Sequence, residues 1–106
     1  MYEYRATVIR VIDGDTVDCR VDVGFRVSID MRFRLAGINA PEMDTEAGKA
    51  AKVRLMELMP QGIELLVRTQ KDRQEKYGRY LGTFLDLDGH SINDRMFREG
   101  HAVLVR

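Results

Sequence analysis

The stretch from Val17 to Leu35 reads VDCRVDVGFRVSIDMRFRL and decides the fold. Apolar and polar residues alternate along it, first from Val17 to Val23 and then from Phe25 to Leu35. Such alternation is typical of a β-strand with one buried face. Gly24 separates the two runs and can adopt the positive φ angle that a tight turn needs. The stretch therefore predicts a β-hairpin.

Three further strands are predicted outside this hairpin. The segment from Tyr4 to Ile12 is rich in β-branched residues and predicts a first strand. Two later runs have strand residues at every second position, namely Ile63, Leu65 and Val67, and then Leu81, Thr83, Leu85 and Leu87. Asp88-Gly89 supplies a turn that ends the last run. The sequence therefore predicts five strands.

A helix is predicted between the third and fourth strands. From Thr45 to Met59 apolar residues recur at a spacing of three to four, namely at Ala47, Ala51, Leu55 and Leu58. Asp44 or Thr45 can serve as the N-cap, and Pro60-Gln61-Gly62 ends the helix.

A second, shorter helix is predicted near the end of the chain. Ser91 is followed three residues later by Asp94, which resembles a capping box, and Gly100 fits the position just after the last turn. Five short, mostly antiparallel strands with a helix between the third and fourth are typical of an OB-type barrel. We therefore expect a mainly β fold of the α+β class, with two or three helices.

Length and composition restrict the number of domains and the classes of function. The chain has 106 residues, of which 44% are hydrophobic and 32% charged, so we expect a single domain over residues 1–106. Seventeen basic residues balance seventeen acidic ones. This balance excludes a function that depends on overall positive charge. Any affinity for phosphate must come from basic residues placed together at one site.

The chain also lacks several features that would place it outside the cytoplasm. No apolar run approaches the roughly 20 residues that cross a bilayer, so we expect no membrane association. The one cysteine, Cys19, cannot form an intramolecular disulfide. The first residues do not resemble a secretory signal, and we expect a cytoplasmic protein, or a secreted one if a leader was removed.

Polar residues that the strand pattern does not require occur first in residues 12–17, IDGDTV. Asp15 has the same parity as Val17, so without a bulge its carboxylate faces the core and needs a partner. A hard cation such as calcium would offset the cost of shielding that carboxylate from water. The alternative is an ordinary turn, since this composition is common in turns.

A second group lies in residues 32–42, RFRLAGINAPE, where a strand with cations on one face runs into a tight loop. The planar guanidinium of Arg34 suits two phosphate oxygens, and Glu42 could act as a general base for an attacking water. The alternative is a surface strand and a loop whose arginine and glutamate have no chemical role.

A third group lies in residues 71–80, KDRQEKYGRY, a basic stretch with two tyrosines between predicted strands. Lysine and arginine there could bind phosphates, and tyrosine could stack on a base. The alternative is a solvated charged loop. We assign no role to His90 or His101.

Taken together, residues 12–17 (IDGDTV), 34–42 (RLAGINAPE) and 76–79 (KYGR) resemble the three signature blocks of the staphylococcal nuclease family, in the same order. The resemblance continues through Asp88-Gly89 and Asn93 and covers nearly the whole chain. It implies an OB-type barrel, the fold that the strand pattern predicts independently.

The resemblance further implies a calcium-dependent nuclease that hydrolyses DNA and RNA phosphodiester bonds and leaves a 3′-phosphate and a 5′-hydroxyl. Asp15 matches the family's first calcium carboxylate. Asn39 and the carbonyl of Ala40 match the second carboxylate position and the neighbouring carbonyl ligand. Oxygen-ligand chemistry is also compatible with manganese or magnesium.

The remaining site residues follow from the same resemblance. Glu42 matches the acid that activates or orients water. Arg34 and Arg79 match the two arginines that bind the scissile phosphate. Lys76 and Tyr77 match residues that contact the nucleotide.

The chain departs from the family pattern in two respects. Asn39 stands where many members carry a second aspartate, and its amide oxygen contributes no negative charge, so we expect weaker calcium binding. The sequence ends at Arg106, about where the family prototype supplies substrate-contacting tyrosines and then a helix. We therefore expect lower substrate affinity, in a monomer or a homodimer.

A second function fits the same barrel. Some relatives of this family keep the fold and lose the metal or arginine residues, so the alternative is a catalytically weak or inactive OB module that binds nucleic acid or protein. Retention of Asp15, Arg34, Glu42 and Arg79 favours the nuclease, because a binding module does not need that set of groups.

Overall fold

The computed structural model describes residues 2–74 and 79–105, with side chains described for residues 2–69 and 79–105. In chain order its elements are β1 (Tyr2–Asp13), β2 (Thr16–Asp22), β3 (Ser28–Leu35), β4 (Ile38–Asn39), α1 (Glu46–Leu58), β5 (Glu64–Gln74), β6 (Tyr80–Leu85), α2 (Ile92–Arg98) and β7 (Val103–Leu104).

Five of the strands form a closed barrel in the order β1-β2-β3-β6-β5. Neighbouring strands are antiparallel except β3 and β6, which run parallel where Arg34 lies opposite Leu81. The short strands β4 and β7 pair with each other. The predicted OB-type barrel of the α+β class is therefore confirmed.

The barrel interior is filled by the inward residues of these strands. Phe33 and Phe84 meet edge to face with ring centroids 5.5 Å apart. Cys19 is fully buried in this core, and burial raises the pKa of its thiol to about 12, so the thiol stays protonated at neutral pH.

Both helices pack against strands of the barrel and begin directly after their predicted cap residues. Thr45 Oγ1 accepts a hydrogen bond from the Gly48 amide, and Ser91 Oγ accepts one from the Asp94 amide. Helix α1 packs against β1, and α2 packs against β6 and α1. Ala51 and Leu55 face the core as predicted, whereas Ala47 is exposed. In the part of the chain that the structure describes, no helix has both the length and the apolar run needed to span a bilayer.

The predicted third strand is too long at its start. It begins at Ser28 rather than Phe25, because Val27 N–H bonds to the Gly24 carbonyl and closes a turn whose central residues, Phe25 and Arg26, have φ angles of 56° and 60°. This is the pattern of a type I′ hairpin turn. Phe25 is 99% exposed, and the alternating apolar residues next to it also lie on the surface.

The later strands differ from the prediction at their ends. Strand β5 begins one residue after Ile63 and runs on to Gln74, well past the predicted end at Val67. Strand β6 ends at Leu85, and Leu87, which was predicted to continue it, is exposed. The chain turns away there because the Asp86 amide bonds to the His90 carbonyl.

Candidate active site

The site is built around Asp15, which lies in the tight turn between β1 and β2. Its amide donates to Asp13 Oδ1 (3.0 Å), and its carbonyl accepts from the Leu35 amide (2.8 Å). These bonds attach the turn to the end of β3. The side chain is only 14% exposed, and Oδ2 accepts a hydrogen bond from the Ala40 amide at 2.9 Å.

The electrostatic surroundings of Asp15 disfavour its charged form. Burial raises the pKa of its carboxyl, and the neighbouring Asp13 raises it further; the Ala40 amide and the Arg34 guanidinium act in the opposite direction without cancelling the increase. A shielded carboxylate next to a second acidic residue would gain from a nearby cation.

Two arginines lie beside this carboxylate. Arg34 is on the outer face of β3, opposite Thr16 of β2, and its Nη2 is 4.0 Å from Asp15 Oδ2. Arg79 directly precedes β6, the parallel neighbour of β3, and its Nη1 donates to Thr16 Oγ1 at 3.1 Å. The strand pairing thus brings together residues 63 positions apart.

Thr16 connects the carboxylate to the second arginine. Its hydroxyl donates to Asp15 Oδ1 (3.2 Å) and accepts from Arg79, and the residue is almost fully buried. Thr16 was not predicted as a site residue, because threonine in this motif is also ordinary turn composition. The feature of the sequence that could have indicated a role for Thr16 is its position directly after Asp15.

Strand β4 and the loop after it supply the remaining candidates. Ala40 reaches Asp15 through its amide, while the side chains of Asn39 and Glu42, one residue before and two residues after it, are exposed. The structure therefore brings Asp15, Arg34, Arg79 and the Ala40 amide into contact or near contact around Thr16. The Ala40 carbonyl as a metal ligand stays a prediction. Asn39 and Glu42 flank Ala40 in the sequence, and their roles at the site stay predictions.

Close packing against α1 holds this loop. The Glu42 carbonyl accepts hydrogen bonds from the amide (3.1 Å) and the hydroxyl (2.6 Å) of Thr45, the N-cap of α1. Gly48, in the first turn of α1, lies directly beneath this carbonyl, and a Cβ atom there would overlap it. The backbone at Gly14 is also closely packed, since a Cβ there would lie 2.7 Å from the Cβ atoms of Ala40 and Ala51. Neither glycine was identified from the sequence.

Two predicted substrate-binding residues, Lys76 and Tyr77, lie outside the described residues. A different group, Asp86, Asp88 and His90, has ligand atoms within 4.8 Å of one another in the turn after β6. Asp86 Oδ1 accepts from the amides of Asp88 (3.0 Å) and His90 (2.9 Å). These bonds are those of a surface turn, and we assign the group no role.

Comparison of the sequence with known proteins assigns the chain to a family. The model for the staphylococcal nuclease homologue family matches residues 32–106, which include Arg34, Asn39, Ala40, Glu42 and Arg79. A protein named micrococcal nuclease from Shigella flexneri is 38% identical over 112 residues, covering 98% of this chain and 60% of the relative. That alignment spans nearly the whole chain.

Two further relatives carry nuclease names. An uncharacterized endonuclease from Escherichia coli is 34% identical over 95 residues, covering 90% of this chain and 57% of the relative. Endonuclease YhcR from Bacillus subtilis is 27% identical over 111 residues, which are 94% of this chain and 9% of that protein. The chain thus spans about 60% or less of the length of these curated relatives. Given the family match over more than half of its residues and the five-stranded barrel, this chain belongs to the staphylococcal nuclease homologue family.

Proposed function

We propose that this chain is a metal-dependent nuclease that hydrolyses phosphodiester bonds of DNA or RNA, and that residues 1–106 form the single domain that does so. The observation that carries the proposal is the group of Asp15, Arg34 and Arg79 around Thr16. The names of the relatives, micrococcal nuclease and endonuclease, support the same reaction class.

The donor atoms offered at this site suit a hard divalent cation. Asp15, the Asn39 amide oxygen and the Ala40 carbonyl would hold calcium, which prefers oxygen ligands. The shielding that raises the pKa of Asp15 indicates a carboxylate that a cation would stabilise. When bound, the ion would supply Lewis-acid stabilisation of the charge that develops on the phosphate.

The protein's own groups supply the remaining chemistry. Arg34 and Arg79 bind the non-bridging oxygens of the scissile phosphate and stabilise the charge that builds up on them during attack. Glu42, exposed in its loop, takes a proton from the attacking water. The new bond joins the water oxygen to phosphorus, and the bond to the 5′ oxygen breaks. That oxygen takes a proton from solvent water and leaves as a 5′-hydroxyl, and the phosphate stays on the 3′ side.

Substrate contacts beyond the scissile phosphate are part of the same proposal. Lys76 and Tyr77 contact the nucleotide, the former through phosphate and the latter through a base or sugar. Both precede Arg79 closely in the sequence. The protein acts as a monomer or a homodimer.

Cleavage of single-stranded DNA tests the proposal. With millimolar-range calcium we expect cleavage, complete loss of cleavage with an excess of chelator, and recovery when calcium is restored, because Asp15 then regains its cation. End-group analysis should find 3′-phosphates and 5′-hydroxyls. A folded protein that cleaves neither DNA nor RNA with calcium, manganese or magnesium would contradict the nuclease assignment.

That negative outcome would favour a second function, an OB module that binds nucleic acid without cleaving it. The observation in its favour is the neutral Asn39 side chain at the position where many family members carry an aspartate, which reduces the charge offered to a cation. Binding that persists with no divalent ion would support this reading.

Replacing Asn39 with aspartate should lower the calcium concentration needed for half-maximal cleavage on the order of tenfold, because a second carboxylate near a divalent ion adds about 1 kcal/mol or more of attraction. Calcium titration of the cleavage rate measures the shift. Gln61→Glu is the control, since it adds the same charge in the exposed turn between α1 and β5. Equal calcium dependence in all three proteins would refute the argument from ligand charge.

A further inference from the structure

The outer face of the β1–β2–β3 sheet carries a second group of charges beside the candidate site. Arg32 and Arg34 are two residues apart on β3, so both side chains leave the same face of the sheet, roughly 7 Å apart along the strand. Opposite them on β2 lie Asp18 and Thr16. Arg10 of β1 pairs with Asp18 from the other side, next to an irregularity in the strand pairing at Ile9.

Asp18 holds both neighbouring arginines in place. Arg32 contacts it as a fork, with Nε 2.7 Å from Oδ1 and Nη2 3.1 Å from Oδ2, and Arg10 Nη2 lies 2.9 Å from Oδ2. Only 10% of the Asp18 side chain is exposed, whereas the side chains of Arg32 and Arg10 are 46% and 63% exposed. One carboxylate thus orients two guanidinium groups that still face solvent.

These groups line a groove of about 300 Å³, together with Ile9, Met31 and Asp30. Asp30 is already bound by both nitrogens of the Arg20 fork, at 2.8 and 3.2 Å. Arg10, Arg32 and Asp18 therefore carry an excess of one positive charge at this groove. An arginine pair with N–H groups left over suits an anion with several oxygens.

We propose that this groove binds a phosphate of the nucleic-acid strand next to the cleaved bond. Arg32 and Arg10 donate to that phosphate, Asp18 is the residue that positions them, and Ile9 offers apolar surface to the adjoining sugar or base. The inference rests on the proposed nuclease function and extends it along the substrate. A guanidinium held in place by Asp18 loses less side-chain freedom when the phosphate binds.

Binding without cleavage tests the groove separately from catalysis. We would measure the anisotropy of a fluorescein-labelled single-stranded DNA oligonucleotide in chelator over a series of salt concentrations. Arg32→Gln should weaken binding by roughly fivefold to tenfold and reduce the slope of log K against log salt by about 0.7, the loss of one phosphate contact on a single strand. Arg98→Gln is the control: it removes an exposed, ion-paired arginine from α2, which does not line the groove, and we expect it to leave the slope unchanged.

The Asp18→Asn variant distinguishes the orientation of Arg10 and Arg32 by Asp18 from an effect of the protein's net charge. This change removes a negative charge, so an effect of net charge alone would tighten binding, whereas loss of positioning should weaken it. Thermal unfolding followed by circular dichroism checks that each variant is folded. Tighter binding by Asp18→Asn, or equal losses in Arg32→Gln and Arg98→Gln, would overturn the proposal.

Cleavage kinetics give a second, independent result. A dinucleotide with one phosphodiester bond has no neighbouring phosphate to bind. Arg32→Gln should therefore raise KM for the oligonucleotide with kcat unchanged, and should leave both constants unchanged for the dinucleotide. A raised KM for both substrates would contradict the groove assignment. Absence of cleavage by the unaltered protein, with the binding results as expected, would contradict the nuclease function and leave the groove standing.

Discussion

Replacing Arg34 or Arg79 with lysine should reduce kcat for calcium-dependent cleavage by about a hundredfold or more, equivalent to roughly 3 kcal/mol of transition-state stabilisation. Both side chains lie against the Asp15 turn, Arg34 with Nη2 4.0 Å from Asp15 Oδ2 and Arg79 through Thr16 Oγ1. Lysine keeps the positive charge but presents a single ammonium group, which cannot donate two parallel hydrogen bonds to a phosphate.

The lysine variants therefore separate charge from geometry. If overall charge near the phosphate were sufficient, Arg34→Lys and Arg79→Lys would retain most of the activity. Initial rates at saturating substrate measure kcat, and Arg98→Lys provides the control, because Arg98 is exposed on α2 and pairs with Asp94. Activity close to that of the unaltered protein in either site variant would remove that arginine from the proposed mechanism.

Replacing Gly48 with alanine should destabilise the fold by about 1–3 kcal/mol, although alanine inside a helix normally stabilises relative to glycine by about 1 kcal/mol. We expect alanine to destabilise the fold at this position because a Cβ at position 48 would overlap the carbonyl of Glu42. Backbone atoms cannot rotate away as the end of a flexible side chain can, so the loop or the helix must shift.

The same substitution should reduce cleavage, because the displaced segment carries Glu42 and adjoins Ala40, whose amide bonds to Asp15. Urea unfolding measures the stability, and cleavage is assayed where both proteins are folded. Ala50→Gly is the matched control: it lies on the exposed side of α1 and should cost about 1 kcal/mol while leaving activity unchanged. An increase in stability in Gly48→Ala would show that the loop is not held as tightly as the packing indicates.

The elements of this fold could be predicted where local rules and burial agree. Thr45 and Ser91 cap their helices as the sequence predicts, since a cap depends on residues within one turn. Residues 17–23 alternate as a strand, and inward residues such as Val17 and Val21 are buried. The β2–β3 hairpin likewise follows from Gly24, whose φ is 86°.

Alternation failed as a guide at the tip of that hairpin. Phe25 and Ile29 continue the apolar pattern of β3, yet they are exposed, because alternation specifies a face and not whether another layer covers it. The turn at Phe25 and Arg26 is also unexpected, since both residues have positive φ where asparagine and glycine are usual. Only the pairing of β2 with β3 fixes the turn there.

Much of the candidate site could be proposed from the sequence, because the side-chain chemistry of Asp15, Arg34 and Arg79 is recognisable in its motifs. Their spatial arrangement was not readable, since it depends on strand pairing between distant segments. Thr16 was missed because its composition is that of an ordinary turn and its contact with Arg79 joins distant segments. Gly48 was missed because its importance lies in its packing against the Glu42 carbonyl.

The sequence by itself determined roughly where the five barrel strands and the two helices lie, the OB-type barrel and the chemical groups available, because hydrophobic period, caps and residue type act over a few positions. The tertiary structure set the ends of the strands and added the short β4–β7 pair. The tertiary structure decided which groups meet. It set Arg79 against Thr16, Ala40 against Asp15, and two arginines against Asp18. These contacts follow from barrel closure and register, which join residues far apart in the chain and leave no periodic signal in it.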